Sequence, residues 1–242
     1  MLELGGQSEM NGKAIPKKVL AWADTTTGYQ HDSISHAFAV MERLGRESGA
    51  FHTYIRTDSQ WITKWIVSPP ARNARTLNFF DAIFFFGTGD RLAPGQMEDL
   101  LSFVREDGKG FVGAHTGDNA FPNCAEFGEM MGGRFDGHPW GILDAAIAVE
   151  DPGFPAMRGL PSHFILRDEI YTHRDFSRSR AHVLASLERD PSVAVAWAKM
   201  YGKGRVFYSS FGHDDETWDN PLVQGMYFEA LTWVLRLVGE DL

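Results

Sequence analysis

Three short runs in this chain are apolar throughout: Val19-Leu20-Ala21-Trp22-Ala23, Ala82-Ile83-Phe84-Phe85-Phe86 and Phe111-Val112-Gly113-Ala114. A strand with one wet face alternates apolar and polar residues. An unbroken apolar run of this length instead needs cover on both faces, as in the parallel sheets of α/β proteins. Between and after the runs, apolar residues recur at helical spacing: Ile34, Ala37, Phe38, Met41 and Leu44, with Asp32 or Ser33 as N-cap, then Met97, Leu100, Leu101 and Val104 behind Pro94. Strand and helix in alternation predict an α/β fold, with a mostly parallel central sheet and helices on both faces. The strand after Lys109 should lie at its centre.

The rest of the chain fits that frame. Residues 51–55 read as a second strand, and Trp61, Ile62, Trp65 and Ile66 suit a helix ended by Pro69-Pro70. A short helix is expected near 126–131 and a strand over 142–149. Residues 164–173 and 182–187 extend the sheet or form a flap. Residues 193–198 and 205–209 form a hairpin around Tyr201-Gly202-Lys203-Gly204, and a long helix over 222–238 closes the fold. Residues 1–16 are expected as a flexible leader and 17–242 as one domain.

Composition excludes several function classes. With 18 Phe and 7 Trp the chain carries ample core material, and with one cysteine, Cys124, it cannot build an internal disulfide. The 23 basic against 32 acidic residues give a net charge of −9, which argues against nucleic acid or an anionic membrane as partner. No apolar run approaches the roughly 20 residues of a membrane span, and no secretory signal opens the sequence. A cytoplasmic protein acting on a small molecule is expected, and at this size a homo-oligomer by base rate alone.

Ligands of open α/β sheets sit at the carboxyl ends of the strands. His31 follows the first strand, His115 the central one and His213 the last long one. His115 has the most specific setting, Gly113-Ala114-His115-Thr116-Gly117. This is the spacing of a nucleophile elbow with imidazole where Ser or Cys would stand, and the turn should expose the ring above the sheet. Such a histidine serves as acid, base or metal ligand. His138 lies in the loop Gly137-His138-Pro139-Trp140. If residues 168–173 are extended, Glu169, Tyr171 and His173 share one side. A carboxylate among imidazoles suits proton transfer or a divalent metal. His52, His163 and His182 have no motif around them, and Cys124 is expected as a buried thiol. No nucleotide fingerprint occurs.

Five ordered blocks resemble the trehalose-utilisation (ThuA-like) family. They are residues 110–115, 132–139, 168–171 and 196–197 together with 201–213, preceded by Tyr29-Gln30-His31-Asp32. The resemblance implies a flavodoxin-like fold related to class I glutamine amidotransferases and a role in the metabolism of disaccharides and their keto forms. It points to His31, His115, His138, Glu169 and His213 as the positions to examine for catalysis. Tyr29, Thr116, Trp140, Tyr171 and Asp214 are candidate sugar contacts, Trp140 being able either to stack on a sugar ring or to fill core. Three functions stay open at this point: proton-transfer chemistry on a keto-sugar, sugar binding without catalysis, and metal-assisted hydrolysis. If a divalent metal, Zn or Mn, is held, the expected ligands are His115, His213 and His138. Otherwise two of the histidines act as an acid and base pair.

Overall fold

The computed structural model describes residues 15–65 and 75–242. The expected leader falls almost wholly outside these residues, as do Ile66 and Pro69-Pro70. The elements in chain order begin with β1 (Lys17–Trp22), α1 (Ile34–Ser48), β2 (Phe51–Arg56), β3 (Ala82–Phe85), α2 (Gln96–Arg105), β4 (Gly110–Ala114) and α3 (Ala125–Met131). They continue with β5 (Arg134–Gly137), β6 (Ile142–Val149), β7 (His163–Glu169), β8 (Thr172–Arg174) and β9 (His182–Leu187). The last are β10 (Asp190–Tyr201), β11 (Gly204–Ser209), α4 (Asp215–Asp219) and α5 (Pro221–Val234).

Nine of these strands form one sheet in the order β2-β1-β3-β4-β11-β10-β9-β6-β7. From β2 to β11 the neighbours run parallel, and β4 lies inside this half as expected. From β11 to β7 every pair is antiparallel. The expected parallel sheet is therefore the half built by crossovers. The other half is antiparallel because its strands are joined by hairpins and short returns, beginning with the turn at Gly202-Lys203, where Gly202 takes φ +58°. Of the segment expected to extend the sheet or form a flap, residues 163–169 form the sheet's edge and β8 pairs with β5 in a separate ribbon.

Both faces of the sheet are dry along Val19–Trp22, β3 and β4, which is why these stretches carry no charged residue. Val19, Ala21, Phe84 and Val112 point to a cluster with Phe38 and Met41 of α1 and Met226 and Tyr227 of α5. Their neighbours Leu20, Trp22, Ile83, Phe85 and Phe111 point the other way, to Leu100 and Phe103 of α2 and Phe127 and Met131 of α3. Each such large side chain taken fully from water stabilises the fold by about 1.5–3 kcal/mol. α1 ends at Gly49, whose φ of +69° is the left-handed cap that glycine adopts without strain.

Two local expectations are corrected. Residues 59–65 are not helical: the Thr63 hydroxyl and the Lys64 N–H both donate to Asp99 of α2, tying the segment to a neighbouring helix as a loop. Of its aromatics, Trp61 stacks on Phe80 with the Arg56 guanidinium over its ring, and Trp65 is 76% exposed. Ser33 precedes α1, but its hydroxyl makes no cap. It donates instead to the carbonyls of Gly212 and His213.

Candidate functional site

The parallel strands end on one rim, and the site is built there. His115 follows β4 with φ +46°, one of four non-glycine residues in the left-handed region among the described residues. That conformation is sterically costly for an L-residue. It is held from two sides: the ring's Nδ1 donates to the Ser210 carbonyl at 2.7 Å, and the Tyr208 hydroxyl donates to the His115 carbonyl at 2.8 Å. The elbow opens a 3₁₀ turn over His115–Asn119 rather than an α-helix. The expected exposure of His115 is also corrected. The residue is 0% exposed, and its ring forms the floor of the site, beneath Tyr171.

Around His115 Nε2 the other polar groups converge. Tyr171 Oη lies at 2.8 Å, His31 Nε2 at 3.2 Å, His213 Nδ1 at 3.4 Å and Glu169 Oε2 at 3.9 Å. His213 Nδ1 is also 3.2 Å from Glu169 Oε2, while the other carboxylate oxygen, Oε1, is 3.1 Å from Nδ1 of His138. Thus one carboxylate joins the buried imidazoles to a histidine whose side chain is 48% exposed. Burial holds the His115 imidazole well below its ordinary value, with His31's charge next in importance. Burial, then the charge of His213, lowers His31 to about 4. Both rings are neutral near pH 7 and present lone pairs or single N–H groups. Burial raises the Tyr171 phenol, so that it stays an O–H donor.

The carboxylate arrives from the far side of the sheet. β7 lies four places from β11, yet its end meets the loop after β11 through the fully buried Asp168. Asp168 accepts the backbone N–H of Glu169 at 2.8 Å, of Gly212 at 2.8 Å and of His213 at 3.1 Å. Burial pushes its carboxyl up to about 7 against the pull of these three donors. With Ser33 gripping the same loop, Asp168 sets where Glu169 and His213 face.

A cavity of about 340 Å³ opens above this floor, lined by residues that include Tyr29, His31, Thr116, His138, Glu169, Tyr171 and His213. The Thr116 hydroxyl is buried there without a hydrogen-bond partner. All five expected catalytic positions and three of the five expected sugar contacts therefore meet at one place. Trp140 is not brought there: it packs against the core, its ring under the Arg189 guanidinium. Asp214 borders an adjoining depression with Tyr29 and His31, and its carboxylate caps α4 through the Thr217 N–H. His173 lies apart from Glu169 and Tyr171, 3.2 Å from the buried Asp118, because the chain leaves the strand between β7 and β8. His52, His163 and His182 are exposed, and Cys124 is half-buried beside Glu126.

Asp168, Ser33 and Tyr208 are positioning residues whose part in the site the sequence did not show. Asp168 stood next to Glu169 in a recognised block, but its partners are backbone N–H groups, which leave no residue signature. Asn119, Thr88 and Phe135 complete the cavity wall.

A family model described as trehalose utilisation (ThuA) matches residues 18–234. No curated protein matches the sequence. Among solved structures, a ThuA-like protein from Bacteroides uniformis is 20% identical, with 95% of each chain covered and a TM-score of 0.73. A ThuA-like protein from Parabacteroides merdae is 17% identical, covering 94% of this chain and 93% of its own, at a TM-score of 0.69. A cytoplasmic protein from Salmonella typhimurium is 13% identical over 90% of this chain and 98% of its own, at 0.57. At these identities the likeness is one of fold.

Proposed function

The chain belongs to the ThuA (trehalose-utilisation) family of the class I glutamine amidotransferase-like superfamily, and from that membership we propose a cytoplasmic enzyme that moves a proton on a disaccharide-derived keto-sugar. The observation that carries this is the His138–Glu169 pair at the mouth of a cavity floored by neutral imidazoles. A hydrogen on the carbon beside a carbonyl is acidic enough for a side-chain base, provided the oxygen that gains charge is stabilised.

The two tasks fall to different layers of the site. With Nδ1 of His138 donating to Glu169 Oε1, its Nε2 keeps a lone pair for the substrate proton. The imidazolium that forms is then stabilised by the adjacent carboxylate. At the floor, His31 and the Tyr171 hydroxyl are the polar groups near which the carbonyl oxygen would lie. Returning the proton to the neighbouring carbon isomerises the sugar; delivering it instead to a departing β-oxygen, as the C–O bond breaks and the C=C bond forms, gives elimination. The unpartnered Thr116 hydroxyl supplies a contact for a sugar hydroxyl. The cavity's size, near the lower end of the roughly 300–1,000 Å³ usual for ligand sites, suits one or two sugar rings.

The test is turnover of a panel of glucosides, trehalose and their keto forms, with products analysed by mass in ¹⁸O-labelled water. Isomerisation conserves mass and elimination splits the substrate without uptake of solvent oxygen; either supports the reading. Fragments that carry one solvent oxygen on every turnover mean hydrolysis, and no conversion of any keto-sugar means that the proposal is wrong.

A further inference from the structure

The four side chains at the floor form a cage whose dimensions hydrogen bonding accounts for only in part. His115 Nδ1 donates to the Ser210 carbonyl, so the neutral ring has one lone pair, on Nε2. Facing that lone pair are Tyr171 Oη at 2.8 Å, His31 Nε2 at 3.2 Å and His213 Nδ1 at 3.4 Å. One lone pair makes one good hydrogen bond, and the Tyr171 hydroxyl already provides it. His213 Nδ1 is tied to the Glu169 carboxylate at 3.2 Å, but the approach of His31 Nε2, whose Nδ1 is buried without a partner, is left without a cause.

A cation supplies one. We propose that His31 Nε2, His115 Nε2, His213 Nδ1 and Glu169 Oε2 bind a single divalent transition-metal ion of the Zn²⁺ type. Four ligands at bonds of about 2.0–2.1 Å stand about 3.3–3.4 Å from one another in a tetrahedron. The cage shows 3.2 Å for His31–His115, 3.4 Å for His115–His213, 3.2 Å for His213–Glu169 and 3.9 Å for His115–Glu169. All four ligand atoms lie within 4.8 Å of one another. Three imidazoles and one carboxylate suit Zn²⁺ and its first-row neighbours, whereas Mg²⁺ and Ca²⁺ prefer oxygen throughout.

The surrounding contacts are those of a metal site. The Nδ1–H of His115 bonds a backbone carbonyl, fixing the tautomer that offers Nε2. The second oxygen of Glu169 is held by His138, and Asp168 fixes the backbone of both Glu169 and His213. This ligand set replaces the one expected from sequence: His138 stands outside the cage as the carboxylate's partner, and His31 and Glu169 enter it. With the His115 lone pair given to the cation, the Tyr171 hydroxyl is released toward the cavity. The inference rests on the proposed function for the cation's use, which is to polarise the sugar carbonyl as a fifth ligand, while binding is measured separately.

The full-length protein, stripped with chelator and dialysed, is titrated with ZnCl₂ alone by calorimetry and then loaded with CoCl₂ for absorption spectroscopy. The expected result is one Zn²⁺ per chain and the intense visible bands of four- or five-coordinate Co²⁺. Glu169→Gln and His213→Ala should each weaken binding by about 100-fold or more, and His138→Ala should keep the one-to-one stoichiometry. If His213→Ala does not fold, the near-isosteric Glu169→Gln and the wild-type spectrum decide. No uptake by the wild type, wild-type affinity in Glu169→Gln, or the pale spectrum of six-coordinate Co²⁺ would overturn the assignment. Sugar turnover undiminished after chelation would overturn it too and leave the proposed function standing. One bound Zn²⁺ without turnover of any keto-sugar would support the metal site and sink the function.

Discussion

Replacing His115 by glycine and by alanine reads the elbow's backbone directly. Both substitutions remove the imidazole and leave the Ser210 carbonyl without its donor. An unsatisfied buried acceptor costs about 1–3 kcal/mol, and the vacated space at a fully buried position adds to it. Each variant should therefore fall about 2–4 kcal/mol below the wild type. What separates them is the φ of +46°. At an ordinary position alanine is the more stable of the two by about 0.4–1 kcal/mol, because glycine leaves the unfolded chain more freedom. At positive φ the order reverses, since only glycine takes the left-handed region without a Cβ clash. His115→Gly should exceed His115→Ala by about 1 kcal/mol, or roughly 2–4 °C in Tm for a chain of this size. Urea unfolding with chelator present in every sample measures the difference apart from any bound metal. Alanine equal to or more stable than glycine would show that the elbow is not strained and would remove the physical basis for reading it as a functional turn.

Other positions give independent checks. The Tyr171→Phe change removes one hydroxyl 2.8 Å from His115 Nε2; kcat should drop about 100-fold with stability within about 1.5 kcal/mol of wild type, and an unchanged kcat would remove Tyr171 from the chemistry. Arg205, 3% exposed, donates to the carbonyls of Trp233, Val238 and Gly239 and to Asp241, tying down the end of α5. Arg205→Met should cost about 2–4 kcal/mol in urea unfolding, and a loss below 1 kcal/mol would refute that role. At Asp81, burial raises the carboxyl, but the Lys18 N–H and the Lys109 ammonium outweigh it and hold the group below its ordinary 3.8. Its stabilisation is therefore present above pH 3.8 and lost as pH falls through the lower folded value. Asp81→Asn should be less stable than wild type by about 1 kcal/mol at pH 7, with the gap closing in acid; a gap that persists at low pH would contradict the ion pair.

The parallel half of the sheet was legible because burial on both faces leaves a direct trace, the unbroken run from Phe84 to Phe86 and that from Phe111 to Ala114. From such runs the rim positions of His31, His115 and His213 followed by topology alone. The antiparallel half left no such trace. Ile142–Val149 is only partly buried, and nothing in its residues says that it pairs with β7 on one side and β9 on the other. The depth of His115 was missed for a related reason: the elbow spacing describes a turn, not what covers it, and the cover is Tyr171 from a distant segment. The Trp61 and Trp65 spacing suggested a helix that Asp99 diverts into a loop, a tertiary hydrogen bond with no local signal. Trp140 suits a sugar ring or the core equally in sequence, because aromatic rings serve both, and here the core and Arg189 claim it.

Exchange of substrate hydrogen with solvent tests the central claim most directly. A keto-glucoside incubated with the protein in D₂O is followed by proton NMR at the carbon beside its carbonyl. The account predicts that the wild type speeds deuterium incorporation at that carbon well above the buffer rate, and that His138→Gln, unable to complete the proton transfer, does not. Exchange no faster than buffer across the keto-sugar panel, or exchange unaffected by His138→Gln, would contradict the assignment of this site to proton transfer.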